Sequence, residues 1–358
     1  FMADNFQAEQ KDKYIEKSRD LLSDLPIFCT DFINDKLAAT KYRPLTCYAY
    51  ANDLNMFFDF LTCKNSLFPN ICKKDISLVD MEQISYRNIA DYLSYLTSYR
   101  DKNGNLVTND APGKARKLSS IRALYNYLVK HHMVENNPAA AIDTPKIKEK
   151  PIIRLDKKQQ EKLCEAAENE EILAQKKLPE YIKLRDNCIL TMFLGTGMRV
   201  SELTGINISD IDFEKSCILI TRKGNKVQNI YISPGITDSI KIYLNLGRKH
   251  FKGYDTTSAL FLSQKGNRIS IRAVEALVKK YANAALGMGN KISPHKLRST
   301  YGTNLYNLTG DIYLTADALG HSDIKTTAKH YAAINEERRK QAARYGDEII
   351  GLNNEKQL

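Results

Sequence analysis

Six polar side chains in the second half of this 358-residue chain, Arg199, Lys223, His295, Arg298, His321 and Tyr331, stand out by type and spacing. Breaking a phosphodiester bond without a metal takes a nucleophile, cationic donors for the phosphate oxygens, a proton acceptor and an acid for the leaving alkoxide. Arginine suits the donor role because its planar fork makes paired, charge-assisted hydrogen bonds and stays protonated. TGMRVSEL spaces Arg199 and Glu202 one helical turn apart, and PHKLRST does the same for His295 and Arg298. A phosphate held by Arg298 would lie within reach of His295, whose ordinary pKa of about 6.5 lets it shuttle protons near neutrality. Lys223 sits at the mouth of a turn and is a candidate acid for the alkoxide, with Lys226 a serious competitor and Lys265 a weaker one. Tyr331 is the candidate nucleophile among 20 tyrosines. A phenol of pKa about 10 needs a base or a cationic field to attack.

Each of these residues also has an ordinary reading. An isolated arginine on a helix is usually a surface ion pair, a lone histidine a hydrogen-bonded structural group, and a lysine in a turn merely solvated. Tyr301, Tyr306 and Tyr313 read as core or structural residues, and so does His330. His131, His132 and His250 belong to no motif. Only the set as a whole favours chemistry.

The elements that must position this set are mostly helical. YAYANDLNMFFDFL places Tyr50, Leu54, Phe57, Phe58 and Leu61 at helical spacing, and ISYRNIADYLSYLTSY does so with Ile89, Leu93 and Leu96. The turn-rich DKNGNLVTNDAPG interrupts the pattern, and KARKLSSIRALYNYLVKHHMV opens another helix. That helix carries Lys114, Arg116, Lys117 and Arg122 near its start, over an apolar stripe of Ile121, Leu124, Tyr125 and Leu128. It reads equally well as a solvated basic face and as a basic end that meets DNA phosphates. Asn137-Pro138 closes this region, and DTPKIKEKPIIR reads as an extended linker over 143–154. Helical patterns follow over 156–174 and 180–205. Then comes a β-hairpin, CILITR and VQNIYI joined by KGNK, with helices again from about 272. Ser293-Pro294 supplies helix-start signals just before His295.

Composition narrows the partner. A hydrophobic content of 43% over 358 residues supports two cores. The first twenty residues are too charged for a signal peptide and no apolar run is long enough for a membrane span, so a cytoplasmic location is expected. Seven cysteines without a C-x-x-C pair read as reduced, mostly buried thiols, so neither a disulfide framework nor a metal site is expected. Net charge is +11, and it is uneven: residues 1–146 hold 19 Lys/Arg against 18 Asp/Glu, the remainder 34 against 24. The surplus falls in the half with the polar set and favours a polyanion such as DNA. KGN is not a nucleotide-binding loop, because the G-x-x-x-x-G-K-[ST] spacing is absent.

These motifs, TGMRVSEL, PHKLRST and LGHSDIKTTAKHYAAI in that order, resemble those of the tyrosine recombinases, the phage integrase family. The resemblance covers roughly residues 28–345. It implies that Arg199, Lys223, His295, Arg298, His321 and Tyr331 form the active site, with Glu202 supporting it, and that no cofactor is needed. It also implies a mainly α fold with a small β-sheet or hairpin in the catalytic domain, two domains closing on DNA as a clamp. The expected organisation is an N-terminal extension over 1–27, a helical core-binding domain of the SAM-like kind over 28–142, a linker over 143–154, a catalytic domain over 155–335, and a tail over 336–358 that passes a helix to a neighbour. Ala342, Ala343, Ile349 and Ile350 are the candidate contacts of that tail. Residues 2–27 look too short for the separate arm-DNA-binding domain of larger integrases. The opening from LPIFCTDF onward and TRKGNK look like the single-protein Xer recombinases of streptococci.

The reaction so implied is site-specific recombination of duplex DNA through a 3'-phosphotyrosine intermediate and a Holliday junction, by a homotetramer on two DNA sites. A DNA translocase or accessory DNA-binding protein is a further candidate partner. Chromosome dimer resolution and mobile-element integration or excision both remain open, as does the effect of Ser299, which stands where many relatives have a second histidine. Two other readings compete: a type IB topoisomerase that relaxes DNA, and a catalytically silent DNA-binding protein.

Overall fold

The computed structural model describes residues 4–39, 42–65, 67–69, 71–101, 103–146, 153–168, 178–222, 227–321, and positions 323, 324, 327, 328 and 343. Chain packing divides it into two compact units, Phe1–Lys150 and Pro151–Leu358. Both are mainly helical, with small antiparallel sheets. Among the described residues no helix is long and apolar enough to cross a membrane.

The first unit contains α1 (Asp4–Leu22), α2 (Ile27–Ala38), α3 (Pro44–Cys63), α4 (Leu78–Gln83), α5 (Tyr86–Tyr95), the short strands β1 (Tyr99–Arg100) and β2 (Leu106–Val107), and α6 (Ala111–Lys130). α3 starts with proline at its first turn, where a missing N–H costs nothing, and packs against α1, α2, α5 and α6. Leu54, Phe57, Phe58 and Leu61 are fully buried, while Tyr50 only borders the core. Truncating either phenylalanine to alanine would cost about 3–5 kcal/mol. β1 and β2 pair through Tyr99↔Val107 and Arg100↔Leu106, so the turn-rich break between the helices is itself a small hairpin. Asp110 caps α6 by accepting from the Gly113 N–H at 3.3 Å.

The second unit contains α7 (Lys157–Glu168), α8 (Glu180–Thr196), α9 (Val200–Gly205), β3 (Ile211–Asp212), β4 (Cys217–Thr221), β5 (Val227–Tyr231), α10 (Pro234–Ile242), α11 (Ile271–Leu286), α12 (Pro294–Thr309) and α13 (Ile312–Leu319). α8 is the central helix, flanked by α7, α10 and α12. The sheet order is β3-β4-β5, antiparallel throughout, with Cys217↔Tyr231 and Thr221↔Val227 fixing the hairpin register. Leu155 donates its N–H to the Thr300 hydroxyl at 3.0 Å, which fastens the start of this unit to α12.

One expectation from the sequence changes. The pattern over 180–205 is two helices rather than one, because Gly197 takes a left-handed conformation, φ 61°, that ends α8. A Cβ at Gly197 would overlap the Tyr301 ring, so that position requires glycine for space as well as for φ. The cysteines are free and mostly buried, as expected: Cys29, Cys47, Cys188 and Cys217 are buried, Cys164 is half-buried, and Cys63 and Cys72 are exposed.

Candidate active site

The break after Gly197 decides how Arg199 is held. Arg199 is the residue that caps α9 and does not share a helix face with Glu202; the spacing is that of a cap and the third residue it faces. Glu202 accepts the Arg199 N–H through Oε2 at 2.8 Å and its Nη1 through Oε1 at 2.7 Å. Both carboxylate oxygens therefore orient one arginine. Glu202 is buried, whereas the Arg199 side chain keeps 36% of its surface accessible.

α12 begins at Ser293-Pro294, so His295 and Arg298 lie in its first turns, with His295 exposed and Arg298 buried. Ser299 donates its hydroxyl to the His295 carbonyl at 3.0 Å, the usual way a mid-helix serine satisfies itself. α13 begins with Asp311 accepting the Tyr313 and Leu314 N–H groups at 2.7 and 3.0 Å. It ends at Gly320, φ 60°. There the Gly320 and His321 N–H groups return to the Asp317 and Ala316 carbonyls at 2.8 and 2.9 Å. That closed turn fixes the backbone of His321, whose Nδ1 is 2.8 Å from the buried Thr327 hydroxyl.

Three arginines converge on this helix end. Arg298 donates Nη1 to the Gly197 carbonyl at 2.8 Å and Nη2 to the Leu319 carbonyl. Arg199 donates Nη2 to the Gly320 carbonyl at 3.1 Å. The third, Arg222, went unnoticed in the sequence: it follows β4, is buried, and donates Nη1 and Nη2 to the Asp317 and Ala318 carbonyls at 3.3 and 3.1 Å. Four consecutive carbonyls, from Asp317 to Gly320, thus face three guanidinium groups from α9, β4 and α12. The negative end of a helix dipole favours such cations. Burial pushes the Arg222 guanidinium down from its ordinary pKa, the nearby Arg199 charge adds to this, and Glu202 and Asp317 oppose it. Glu202 and Asp317 flank this cluster, and guanidinium groups held this way are of the kind that grips a phosphate.

Lys223 and its competitor Lys226 lie outside the described residues, as do Tyr331, His330 and the proposed contacts Ala342, Ile349 and Ile350 of the tail. Lys265 is exposed in a turn closed by Ser263 and Asn267. Tyr301 lies against Gly197 and burial pushes its phenol up, which suits a structural role. Tyr313, expected to be core or structural, is 68% exposed and so is not a core residue. The His131 ring lies tilted against Tyr127, and His250 stacks on Tyr181.

The four basic residues of α6 separate by what they bind. Lys117 is buried, 4.0 Å from the Asp53 carboxylate and 3.4 Å from the Asn109 side chain. Arg122 donates to the Ala139 and Ile142 carbonyls and to the Thr144 hydroxyl, holding the residues after α6. Arg116 pairs with Asp53 but stays half exposed, and the half-buried Lys114 reaches the Thr97 hydroxyl at 2.7 Å. Lys117 and Arg122 are thus committed to internal partners, which corrects the picture of a uniformly solvent-facing basic end; Lys114 and Arg116 keep surface for a phosphate. Among the described residues no three His, Cys, Asp or Glu side chains group as a metal site.

A mainly helical unit with an arginine-rich centre at the end of α13 defines a class that comparison with known proteins specifies. The chain belongs to the phage integrase family, the tyrosine recombinases, whose pattern matches residues 154–338. It is 34% identical over 310 residues to the tyrosine recombinase XerC of Caldanaerobacter subterraneus subsp. tengcongensis, covering 84% of this chain and 82% of that protein. The XerC of Leptospira interrogans serogroup Icterohaemorrhagiae serovar copenhageni is 27% identical over 315 residues, covering 87% and 90%. The fold is shared with the XerH site-specific recombinase in its pre-cleavage complex with difH substrate, at TM-score 0.61 and 23% identity over 85% of this chain and 80% of that one. It is shared also with a lambda integrase dimer on a COC' core site, at TM-score 0.57 and 18% identity over 85% and 94%. This protein is therefore a DNA-cleaving and rejoining enzyme of the site-specific recombinase class.

Proposed function

We propose that Arg199 and Arg298 clamp the non-bridging oxygens of the scissile phosphate and that Tyr331 attacks its phosphorus. The bond to the 5' oxygen breaks, that oxygen takes a proton from Lys223, and a 3'-phosphotyrosine link holds the strand until a 5' hydroxyl from the partner duplex reverses the step. His295 accepts the tyrosine proton or donates hydrogen bonds to the phosphate, and His321 assists the clamp. The observation that carries this reading is the convergence of Arg199 and Arg298 on the adjacent carbonyls of Gly320 and Leu319, immediately before His321. Residues remote in sequence are brought to one helix end, where crowded guanidinium groups suit a phosphodiester. Hydrogen bonds aimed at charge that develops only during reaction are the strongest lever an enzyme has on such a step.

On this reading the protein binds duplex recombination sites, assembles as a homotetramer on two of them and exchanges strands through a Holliday junction. The tail over 336–358 is a candidate to be passed between protomers, and a DNA translocase or accessory DNA-binding protein to control the reaction. Chromosome dimer resolution and mobile-element integration or excision are the two roles this chemistry could serve.

Covalent trapping tests the assignment: the protein is incubated, without metal or ATP, with nicked suicide duplexes carrying chromosome-dimer-type sites or sequences flanking its own gene. An adduct that maps to Tyr331, absent from Tyr331→Phe while DNA affinity is retained, is the expected result. Equal covalent yield from Tyr331→Phe would end the assignment. Lys223→Ala slows cleavage more than Lys226→Ala, and the reverse order transfers the acid role.

A further inference from the structure

Thr327 lies inside the LGHSDIKTTAKHYAAI motif and has no role in the mechanism above. It is fully buried. Other buried threonines of this unit satisfy their hydroxyls within their own helices: Thr196, Thr303 and Thr315 each donate to the carbonyl four residues earlier, at 2.6, 2.9 and 2.7 Å. Thr327 does otherwise. Among the described residues its hydroxyl has one hydrogen-bond partner, the His321 Nδ1 at 2.8 Å.

That contact has a direction. A hydroxyl holds one proton and two lone pairs, and a spare lone pair is tolerated in the interior more readily than a donor with nothing to receive it. The Thr327 hydroxyl therefore donates and Nδ1 accepts, which requires Nδ1 to be bare. A neutral imidazole with a bare Nδ1 carries its proton on Nε2. The main chain is held at the same place: the His321 N–H reaches the Ala316 carbonyl at 2.9 Å, and Arg199 donates to the Gly320 carbonyl immediately before it.

We propose that Thr327 is a positioning residue that sets the tautomer of His321, so that this histidine meets the scissile phosphate as a neutral N–H donor through Nε2 and not as a base. This rests on the reading of His321 as an assistant of the arginine clamp. The opposite tautomer would set an Nε2 lone pair against a phosphate oxygen, which repels where a donor attracts. A donor fixed before the reaction needs no reorientation as charge builds on the phosphate. The assignment also divides the work between the two histidines: His295, exposed in the first turn of α12, is left as the one that accepts the tyrosine proton.

Two measurements test it. Nitrogen NMR of the full chain with isotope-labelled histidine, at about pH 8 where an ordinary imidazole is neutral, separates protonated from bare ring nitrogens. The His321 signals are those lost in His321→Gln. In the unmodified protein Nδ1 is bare and Nε2 protonated; Thr327→Ser keeps that state, and Thr327→Val, which holds the volume but removes the hydroxyl, mixes the two tautomers. The second measurement is single-turnover cleavage of a trapping duplex at saturating protein. Thr327→Val slows it by roughly tenfold, less than the loss of a donor outright, and Thr327→Ser restores most of the rate. Added to His321→Gln, Thr327→Val costs little further, because both changes act on one function. A protonated Nδ1 in the unmodified protein, a tautomer unchanged by Thr327→Val, equal cleavage defects in the serine and valine variants, cleavage by Thr327→Val at the unmodified rate, or full multiplicativity with His321→Gln would each overturn the proposal. Failure of the underlying reading is separate: His321→Gln would then cleave at the unmodified rate.

Discussion

Basic side chains cluster in both units, and the two clusters differ in what surrounds them. On α6, Arg116, Lys117 and the Ser120 hydroxyl all face the single buried carboxylate of Asp53, with Ser120 donating at 2.8 Å. There two cations share one buried carboxylate within the fold. At the end of α13, three arginines face backbone carbonyls, with Glu202 paired to one of them. Carbonyls satisfy N–H groups without cancelling a full positive charge. Carbonyl contacts are not themselves a sign of catalysis: Arg248 donates to the Tyr254, Thr257, Ala259 and Leu260 carbonyls and simply holds a loop. What sets the α13 cluster apart from Arg248 is the crowding of several guanidinium groups from separate elements on one short segment.

Substitutions can break that contrast. The largest effect is expected for Arg298→Met, which should reduce single-turnover strand cleavage by about 10²–10³-fold while DNA affinity changes little; a variant that cleaves normally but unfolds easily would make Arg298 a second Arg248. Next is Asp53→Ala, which leaves Lys117 buried without its carboxylate and should lower stability by about 3 kcal/mol in urea titration, with no separate effect on cleavage by the folded protein. Tyr125→Phe removes the buried hydrogen bond from its hydroxyl to the Met81 carbonyl, 3.0 Å, and should cost about 1 kcal/mol. Smallest is Lys114→Ala, which should reduce the slope of log affinity for DNA against log salt by about 1, whereas Lys117→Met leaves the slope unchanged. If Lys117→Met lowers the slope instead, the internal commitment of that residue is wrong.

Acid titration sharpens the same comparison. Burial raises the Asp53 carboxyl above its ordinary value, opposed by Ser120, Arg116 and Lys117. The folded state therefore binds this proton more tightly than the unfolded chain does. Its contribution is fully present below the unfolded value of about 3.9 and is lost as pH rises through the raised folded value. Relative to Asp53→Asn, the unmodified protein should be at its best at the acid end of that window. A stability difference that stays flat from there to neutrality would show that the carboxyl is not raised.

The motifs were legible because their spacing is local: Arg199 with Glu202, and His295 with Arg298, are pairs that one turn of chain brings together. Helical periodicity likewise located α3, α5 and α6, the Ser293-Pro294 signal located the start of α12, and strand runs joined by turn residues located the β4–β5 hairpin. The break at Gly197 was hidden because helical residues continue on both sides, and only the left-handed φ and the pressure of Tyr301 reveal it. Lys117 had a signal that went unused. Asp53 lies in the middle of the apolar YAYANDLNMFFDFL, and a carboxylate among buried aromatics must find a cation somewhere. Arg222 gave no comparable sign, since its partners are main-chain atoms of α13, nearly a hundred residues away in the sequence, and a carbonyl leaves no mark in the amino-acid code.

That last property has a consequence for how the centre tolerates change. The acceptors at 317–320 are present whatever side chains occupy those positions, so mutational drift along the outer face of α13 cannot delete them. Robustness of that kind is bought at one position only: Gly320, where any larger residue would collide with Arg222, concentrates the whole vulnerability of the turn in a single codon.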